Sequence, residues 1–409
     1  MLTEEENELL TRVGPGTPAG ELYRRYWHPV AMVPEISESS PTKFVRILGE
    51  DLVLFRDKSG RVGLVGDHCP HRGASLLYGR VEERGIACAY HGWLYDVNGN
   101  CLETPAEPTD SLLYLTVRHK AYPVREHYGL YWAYLGPAPA PELPRYDIME
   151  MGRIDAIDLM PLDCNWLQDA ENHVDQSHVV ILHQQTGRGN FAPHATDRAP
   201  NTTRGRVDEL VSIEYSETPF GIKRRQIHRD GFDDADLIPF PGSQRIFNIL
   251  SVKVPVDDTH TLQYRMYMDV PSGNLGDRPV EYYFAATGKS RTDAIHPVAQ
   301  HSMVELIFQD VMAMETQGPI SNRPHERLGT ADRGVVLYRE VLKREIEKVQ
   351  QGLEPIGVVR DPEAEPIDTF VQSYIDMVSR GLARPFNCQS NSCRAVPDAG
   401  RAIEVASPS

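Results

Sequence analysis

Short apolar runs separated by turn residues dominate the first third of the chain. In residues 43–65, KFVRILGEDLVLFRDKSGRVGLV, the runs break at Gly49-Glu50-Asp51 and Lys58-Ser59-Gly60, which predicts short strands joined by tight turns. WLYDVNGNCLET predicts a hairpin about Asn98-Gly99, and AYPVREHYGLYWAYLG adds two strands. The proline-rich stretch GPAPAPELP, residues 136–144, has no periodicity and predicts a domain boundary. Beyond it the pattern changes. Residues 163–183 lack alternation and predict helix, whereas Leu262, Tyr264, Met266 and Met268 alternate with Gln263, Arg265 and Tyr267 inside a strand-rich stretch, 244–270. Residues 300–317 and 331–351 predict helices, the second with Tyr338, Leu342, Ile346 and Val349 on one face and Glu340 four residues before Arg344. The expected fold class is α+β. An all-β domain spans 1–140 (core about 28–136), and a second domain, 145–409, combines an antiparallel sheet with packed helices.

Composition narrows the function classes. The 409 residues are 41% hydrophobic and 24% charged, ordinary for a globular protein. Forty-two basic and 58 acidic residues give a formal charge of −16, which disfavours a nucleic-acid partner held through phosphates. No run approaches the ~20 apolar residues of a membrane span. The acidic start, MLTEEENELLTRVGPG, lacks the basic and apolar regions of a signal peptide, so a cytoplasmic location is expected. Six cysteines under those conditions argue against a disulfide scaffold and toward metal. Cys101 and Cys164 read as small buried hydrophobes, and Cys388 and Cys393 lie in a polar tail.

One segment, CPHRGASLLYGRVEERGIACAYHGW, carries paired ligand-type residues: Cys69 with His71 and, after sixteen residues, Cys88 with His91. Structural zinc modules usually pair Cys with Cys and His with His. Here each short loop offers one of each, which meets the demand of a Rieske [2Fe–2S] centre for two thiolates on one iron and two imidazoles on the other. Gly73 and Gly92 would let backbone approach such a cluster. CPHRGA and CAYHGW on predicted hairpins resemble the Rieske domain of ring-hydroxylating, non-haem iron oxygenases. They are less similar to the Rieske proteins of respiratory complexes, whose extra disulfide is missing: Ala74 and Tyr90 stand at those places.

A second motif, Asp175-x2-His178-x4-His183 in CNWLQDAENHVDQSHVVILHQ, offers two imidazoles and a carboxylate, the donor set that binds non-haem Fe(II) with positions open for O2 and substrate. Asp175 and His178 share a helical face. His183 lies about 140° further round at ~100° per residue, so the helix must distort or end between the histidines. On spacing alone Asp175 is either the third ligand or an acceptor orienting His178. The family resemblance implies the second role: a bridge from His178 to a cluster histidine, His91 or His71, of a neighbouring subunit. It places the carboxylate ligand on a late helix, where ELIFQDVMAMETQGPI resembles the phthalate 4,5-dioxygenase branch and matches at Asp310, with Glu305 and Glu315 as competitors. Asn165, Trp166 and Gln168 match the run before the iron motif and are expected to pack near the site.

The resemblance, which also covers ENELLTRVGPGTPAGELYRRYWHPV and GPISNRPHERLGTADRGVVLYREVL, implies a helix-grip catalytic domain and the large subunit of a terminal oxygenase. Implied cofactors are the [2Fe–2S] cluster and mononuclear Fe(II), with NAD(P)H used indirectly through a reductase or ferredoxin. The implied substrate is an aromatic, carboxylated compound that is hydroxylated, or alternatively O- or N-demethylated, by a homotrimer without a small second subunit. Residues 184–300 depart most from the family and would wall the pocket; Arg188, Arg204 and Arg245 are candidates to bind a carboxylate. Two other classes compete: a Rieske electron carrier, which needs only the first third of the chain, and a zinc-binding scaffold.

Overall fold

The computed structural model describes residues 2–183, 210–228, 233–269, 279–285, 289–290, 300–301, 306–381 and 393–395. Arg188, Arg204, Glu305 and Cys388 lie outside the described residues. The chain divides into two compact units, one of residues 26–140 and a larger one of residues 1–25 with 141–394.

The smaller unit is all β: β1 (Trp27–Met32), β2 (Thr42–Ile47), β3 (Glu50–Arg56), β4 (Val62–Gly66), β5 (Arg80–Glu82), β6 (Gly85–Ala87), β7 (Leu94–Tyr95), β8 (Cys101–Glu103), β9 (Ala121–Tyr122), β10 (Val124–His127) and β11 (Leu130–Tyr134). These form sheets ordered β2-β3-β4-β9, β5-β6-β7-β8 and β1-β11-β10. The β7–β8 hairpin turns at Asn98-Gly99 as its sequence predicts. Gly99 has φ +77°, and a side chain there would meet the His119 carbonyl at 2.1 Å. The first turn falls at Leu48-Gly49, one residue earlier than the hydrophobic pattern suggests. Both residues are left-handed (φ 50° and 72°), the conformation that matches the twist of paired strands. Phe55, Val65, Leu76, Ile86, Trp93 and Tyr95 make its core, with Cys69 and Cys88 at the edge of the same cluster.

The larger unit begins with α1 (Glu4–Thr11) and α2 (Pro18–Tyr23). Thr3 and Glu6 form a reciprocal capping box at α1, and Thr17 caps α2 ahead of Pro18. These helices belong with the larger unit rather than with the β-rich third that follows them in sequence. The physical reason is that Asn7 and Thr11 bond to Ser321, Arg323 and Asn165.

After α3 (Asp147–Met151) come β12 (Arg153–Leu162), α4 (Trp166–Val174), α5 (Ser177–Ile181), β13 (Leu210–Thr218), β14 (Gly221–His228), β15 (Asp233–Pro239), β16 (Ser243–Ile246), β17 (Ile249–Pro255), β18 (Thr261–Asp269) and β19 (Glu281–Ala285). Short β20 (Lys289–Ser290) and β21 (Gln300–His301) precede α6 (Leu306–Glu315), α7 (Arg333–Gln350), α8 (Val371–Ser379) and β22 (Cys393–Ala395). The main sheet is ordered β16-β17-β18-β12-β19-β22. It is antiparallel from β16 to β12, but β19 runs parallel to β12. Val311 and Met314 of α6 pack on Met160 and Leu162 of β12, and Asp169 of α4 bonds to Gln263 of β18. Both helices therefore cover one face of this sheet. Among the described residues no helix is long and apolar enough to cross a membrane.

A buried ionic cluster ties α4 to the rest of the unit. Glu171 accepts from Arg323 Nη2 at 2.9 Å and from Arg339 Nε at 2.6 Å, and Arg339 also reaches Glu326 at 2.8 Å. Burial works to raise the Glu171 carboxyl, but the two guanidinium groups outweigh it and hold it below the ordinary value. Arg323→Met should cost about 3–5 kcal/mol of stability in a denaturant titration, because it strips the buried carboxylate of one partner. Replacing Glu171 and Arg323 together by apolar residues should cost less than that single change.

Candidate metal centres

In the smaller unit the loops after β4 and β6 fold into the same turn twice. Gly73 N–H donates to the Cys69 carbonyl at 2.8 Å, and Gly92 N–H to the Cys88 carbonyl at 2.9 Å. Cys69 N–H bonds to Ala74 O and Cys88 N–H to Trp93 O, both at 2.9 Å. The two glycines have nearly equal left-handed φ values, 75° and 73°. Each loop thus presents its cysteine inward and its histidine outward. Both thiols are buried, His71 is exposed and His91 half-buried, and the imidazole centroids stand 4.5 Å apart. Trp93 stacks on His71 (4.4 Å, 1° between planes), and Tyr95 Oη lies 3.3 Å from Cys69 Sγ. Burial pushes the Cys69 thiol above its ordinary value, so a thiolate there calls for a cationic partner. Cys69, Cys88, Cys101 and Cys164 are free thiols.

In the larger unit α4 starts at Asn165, whose carbonyl oxygen caps Leu167 N–H at 3.1 Å and whose amide donates to Thr11 O and Asp258 O. The helix ends at Val174. Asp175 has extended backbone (φ −70°, ψ 122°), and its carboxylate accepts from Ser177 N–H at 2.7 Å and His178 N–H at 3.2 Å, which starts α5. α5 stops at Ile181 and leaves His183 beyond its end. The 140° mismatch of an ideal helix is removed by this break and this stop.

These turns bring His178, His183 and Asp310 together, one ligand atom from each lying within 4.8 Å of the others. Asp310 Oδ1 is 3.3 Å from His183 Nε2 and 3.5 Å from His178 Nε2. Neither approach has hydrogen-bond geometry, so Asp310 Oδ1 is buried without a donor. Burial would raise the Asp310 carboxyl, yet the two imidazoles hold it below its ordinary value. His183 donates from Nδ1 to Gln309 Oε1 at 2.9 Å, which turns its Nε2 toward Asp310. His178 Nδ1 faces Asp175 Oδ2 at 3.4 Å. Glu315, a competitor for the third position, instead accepts from Asp163 N–H at 2.8 Å.

Residues 26–123 match the model of the Rieske [2Fe-2S] domain, and residues 300–394 match one described as LigXa C-terminal domain like. The chain is 35% identical to the 5,5'-dehydrodivanillate O-demethylase oxygenase subunit of a Sphingobium species, over 93% of this chain and 89% of that one. The chain belongs to the Rieske oxygenases. It is also 34% identical to the phthalate 4,5-dioxygenase oxygenase subunit of Pseudomonas putida, over 87% and 89% of the two chains. Among solved structures, NdmA of Pseudomonas putida CBB5 superposes with a TM-score of 0.59 at 23% identity, covering 85% of this chain and all of that one. This Rieske oxygenase is therefore an enzyme of the terminal-oxygenase type, with a [2Fe–2S] cluster and mononuclear iron as cofactors and electrons from NAD(P)H by way of a reductase.

Both donor sets fit those groups. Two buried thiols and two imidazoles on matching turns suit the cluster. Two imidazole nitrogens around a buried carboxylate oxygen that lacks a donor suit iron with positions left open.

Asn165, Trp166 and Gln168 open α4 and tie it to other segments: Gln168 donates to Met314 O and Gly318 O at 2.9 Å and accepts from Ser321 N–H. Arg245, by contrast, is 2% exposed and donates from Nε and Nη2 to the carbonyls of Ala235, Thr369 and Phe370, a structural use of the guanidinium. Gln309 was not legible as a site residue, although its place next to Asp310 on α6 was the available signal. Lys253 was missed as well. It is fully buried near Asp169, and burial pushes its amine down to about 8.

Proposed function

We propose that Cys69, His71, Cys88 and His91 hold the Rieske cluster and that His178, His183 and Asp310 hold the mononuclear iron, in an oxygenase acting on an aromatic acid. The observation that carries this reading is the donor-less Asp310 Oδ1, buried between two imidazole Nε2 atoms. Once bound, the cluster supplies single electrons from the reductase or ferredoxin, and the iron supplies the place where O2 meets the substrate. The rest of the work falls to the chain. Gln309 fixes the tautomer of His183 through Nδ1, leaving Nε2 unprotonated for a metal. Asp175 stands behind His178 with a charged group, its Oδ2 3.4 Å from Nδ1 but without hydrogen-bond geometry. Tyr95 places a hydroxyl on the Cys69 sulfur.

Asp175 we assign as the bridge between centres rather than as a ligand. Its carboxylate keeps 23% exposure while facing His178, so a cluster histidine (His91 or His71) of a neighbouring copy can reach it. That role needs a neighbouring copy, and the likeness to the phthalate 4,5-dioxygenase branch supports a homotrimer with no small second subunit. Free cysteines and the lack of a membrane-spanning helix among the described residues support a cytoplasmic location. O-demethylation of a methoxylated aromatic acid is the second reading, favoured by the 35% identical dehydrodivanillate O-demethylase.

Metal analysis of the purified protein should give about three irons and two acid-labile sulfides per chain; two irons would mean an electron carrier, and zinc without sulfide a scaffold. His178→Ala and Asp310→Ala should each lose the mononuclear iron while the visible spectrum of the cluster persists. Retained iron and full activity in the Asp310 variant would hand its role to another carboxylate. Asp175→Ala should keep both metals and lower product formation by about 10–100-fold or more, and normal turnover would remove the bridge. Tyr95→Phe should lower the cluster's midpoint potential in a redox titration, because a hydrogen bond to sulfur is withdrawn.

A further inference from the structure

The sheet face covered by α4 and α6 is arranged in rows. Register pairs Gln244 with Ser251, Ser251 with Arg265, Arg265 with Asp158, and Asp158 with Tyr283, so these five side chains form one row across β16, β17, β18, β12 and β19. On one side of it lies the row Lys253, Gln263 and Met160, which α4 and α6 cover through Asp169, Val311 and Met314. On the other side Ile249, Tyr267 and Ala156 form an apolar cluster, with Ile246 and Tyr283 packed against it and only partly buried.

Within the polar row the charges are settled internally. Arg265 forms a two-point pair with Asp158 at 2.7 Å, and Tyr267 Oη adds a third bond to Asp158 at 3.0 Å. Gln244 and Ser251 differ. They are 1% and 2% exposed, and neither Gln244 Oε1 nor Ser251 Oγ has a hydrogen-bond partner. Gln244 Nε2 donates to His173 O at 3.4 Å, which fixes the amide so that its oxygen is the open atom. His173 stands on the last turn of α4, two residues before Asp175 and shortly before His178. Two adjacent open polar atoms, buried beneath that helix end and bordered by an apolar patch, are what a fold retains where a ligand fills them.

We propose that Gln244 and Ser251 bind a hydroxyl group carried on the aromatic ring of the substrate, with the ring lying on the Ile246, Ile249 and Tyr267 patch. This deepens the oxygenase reading above and rests on it. The chemistry selects the group. Gln244 Oε1 only accepts, which rejects a carboxylate and requires a donor. Ser251 Oγ can donate in return, so a phenolic O–H, which gives one bond and takes one, satisfies both atoms. An ether can take the Ser251 O–H but leaves Gln244 Oε1 unpaired, and a bare ring leaves both buried atoms unpaired.

Anaerobic titration calorimetry on the holoenzyme, with cluster and Fe(II) in place, tests this with three probes: 4-hydroxy-3-methoxybenzoate, its 4-O-methyl ether and 3-methoxybenzoate. The wild type should bind the phenol at least ~10-fold more tightly than either partner compound. Gln244→Leu should bring that ratio close to one, Ser251→Ala should weaken phenol binding and narrow its advantage over 3-methoxybenzoate, and Gln244→Glu, which keeps an acceptor, should retain a preference. Ser251→Ala removes one oxygen and keeps the test valid if the leucine variant does not fold. A wild type that shows no preference for the phenol, or variants that keep it undiminished, would overturn the proposal and leave the pair as a site for buried water. Aromatic-acid-dependent O2 uptake with a surrogate reductase reports on the oxygenase reading independently.

Discussion

The burial of Glu171 between Arg323 and Arg339 is the interaction on which the catalytic unit depends. A carboxylate inside a protein is tolerated only when its charge is answered, and here the answers come from segments 152 and 168 residues away in the chain. Glu171 sits in the middle of α4. Asn165 and Trp166 tie the start of that helix to Thr11, Gln168 ties it to the end of α6, and Asp169 ties it to the sheet through Gln263. A helix held on every side delivers its last turn to a defined place. Asp175, His178 and His183 follow from that placement.

Past that point backbone and side chain share the work. Asp175 ends one helix, begins the next with two backbone hydrogen bonds, and keeps an oxygen toward His178. One residue thus sets the local geometry and meets the outer nitrogen of the imidazole. α6 divides the same tasks between neighbours, Gln309 orienting His183 and Asp310 facing both histidines. The two imidazoles consequently have unlike neighbours, a carboxylate behind one and a neutral amide behind the other. The smaller unit follows another economy, repeating one five-residue turn to present a thiol inward and an imidazole outward each time.

Inside the catalytic unit most buried charge is consumed by structure. Arg224 pairs with Asp236, Arg265 with Asp158, and Arg245 with three carbonyls. At these three positions the guanidinium works chiefly inside the fold. Neutral polar atoms on the sheet floor, at Gln244 and Ser251, are the ones left open.

The sequence alone determined whatever is local. Cys69-x-His71 and Cys88-x2-His91 point to a Rieske centre because each short loop offers one thiol and one imidazole within a few residues. The hairpin at Asn98-Gly99, the strand β18 and the amphipathic stripe of α7 were legible for the same reason, each resting on residues a few positions apart. The half-buried strand expected at β18 is nonetheless buried on both faces, because Gln263, Arg265 and Tyr267 are covered too. The tertiary structure decided what depends on distance. His178, His183 and Asp310 are brought together by the packing of α4 and α6, which no spacing encodes. The membership of α1 and α2 in the larger unit, the loss of Arg245 to backbone carbonyls and the opening at Gln244 and Ser251 likewise depend on partners far along the chain. Side-chain type states what a group can do, and only packing states which of its hydrogen bonds are already taken.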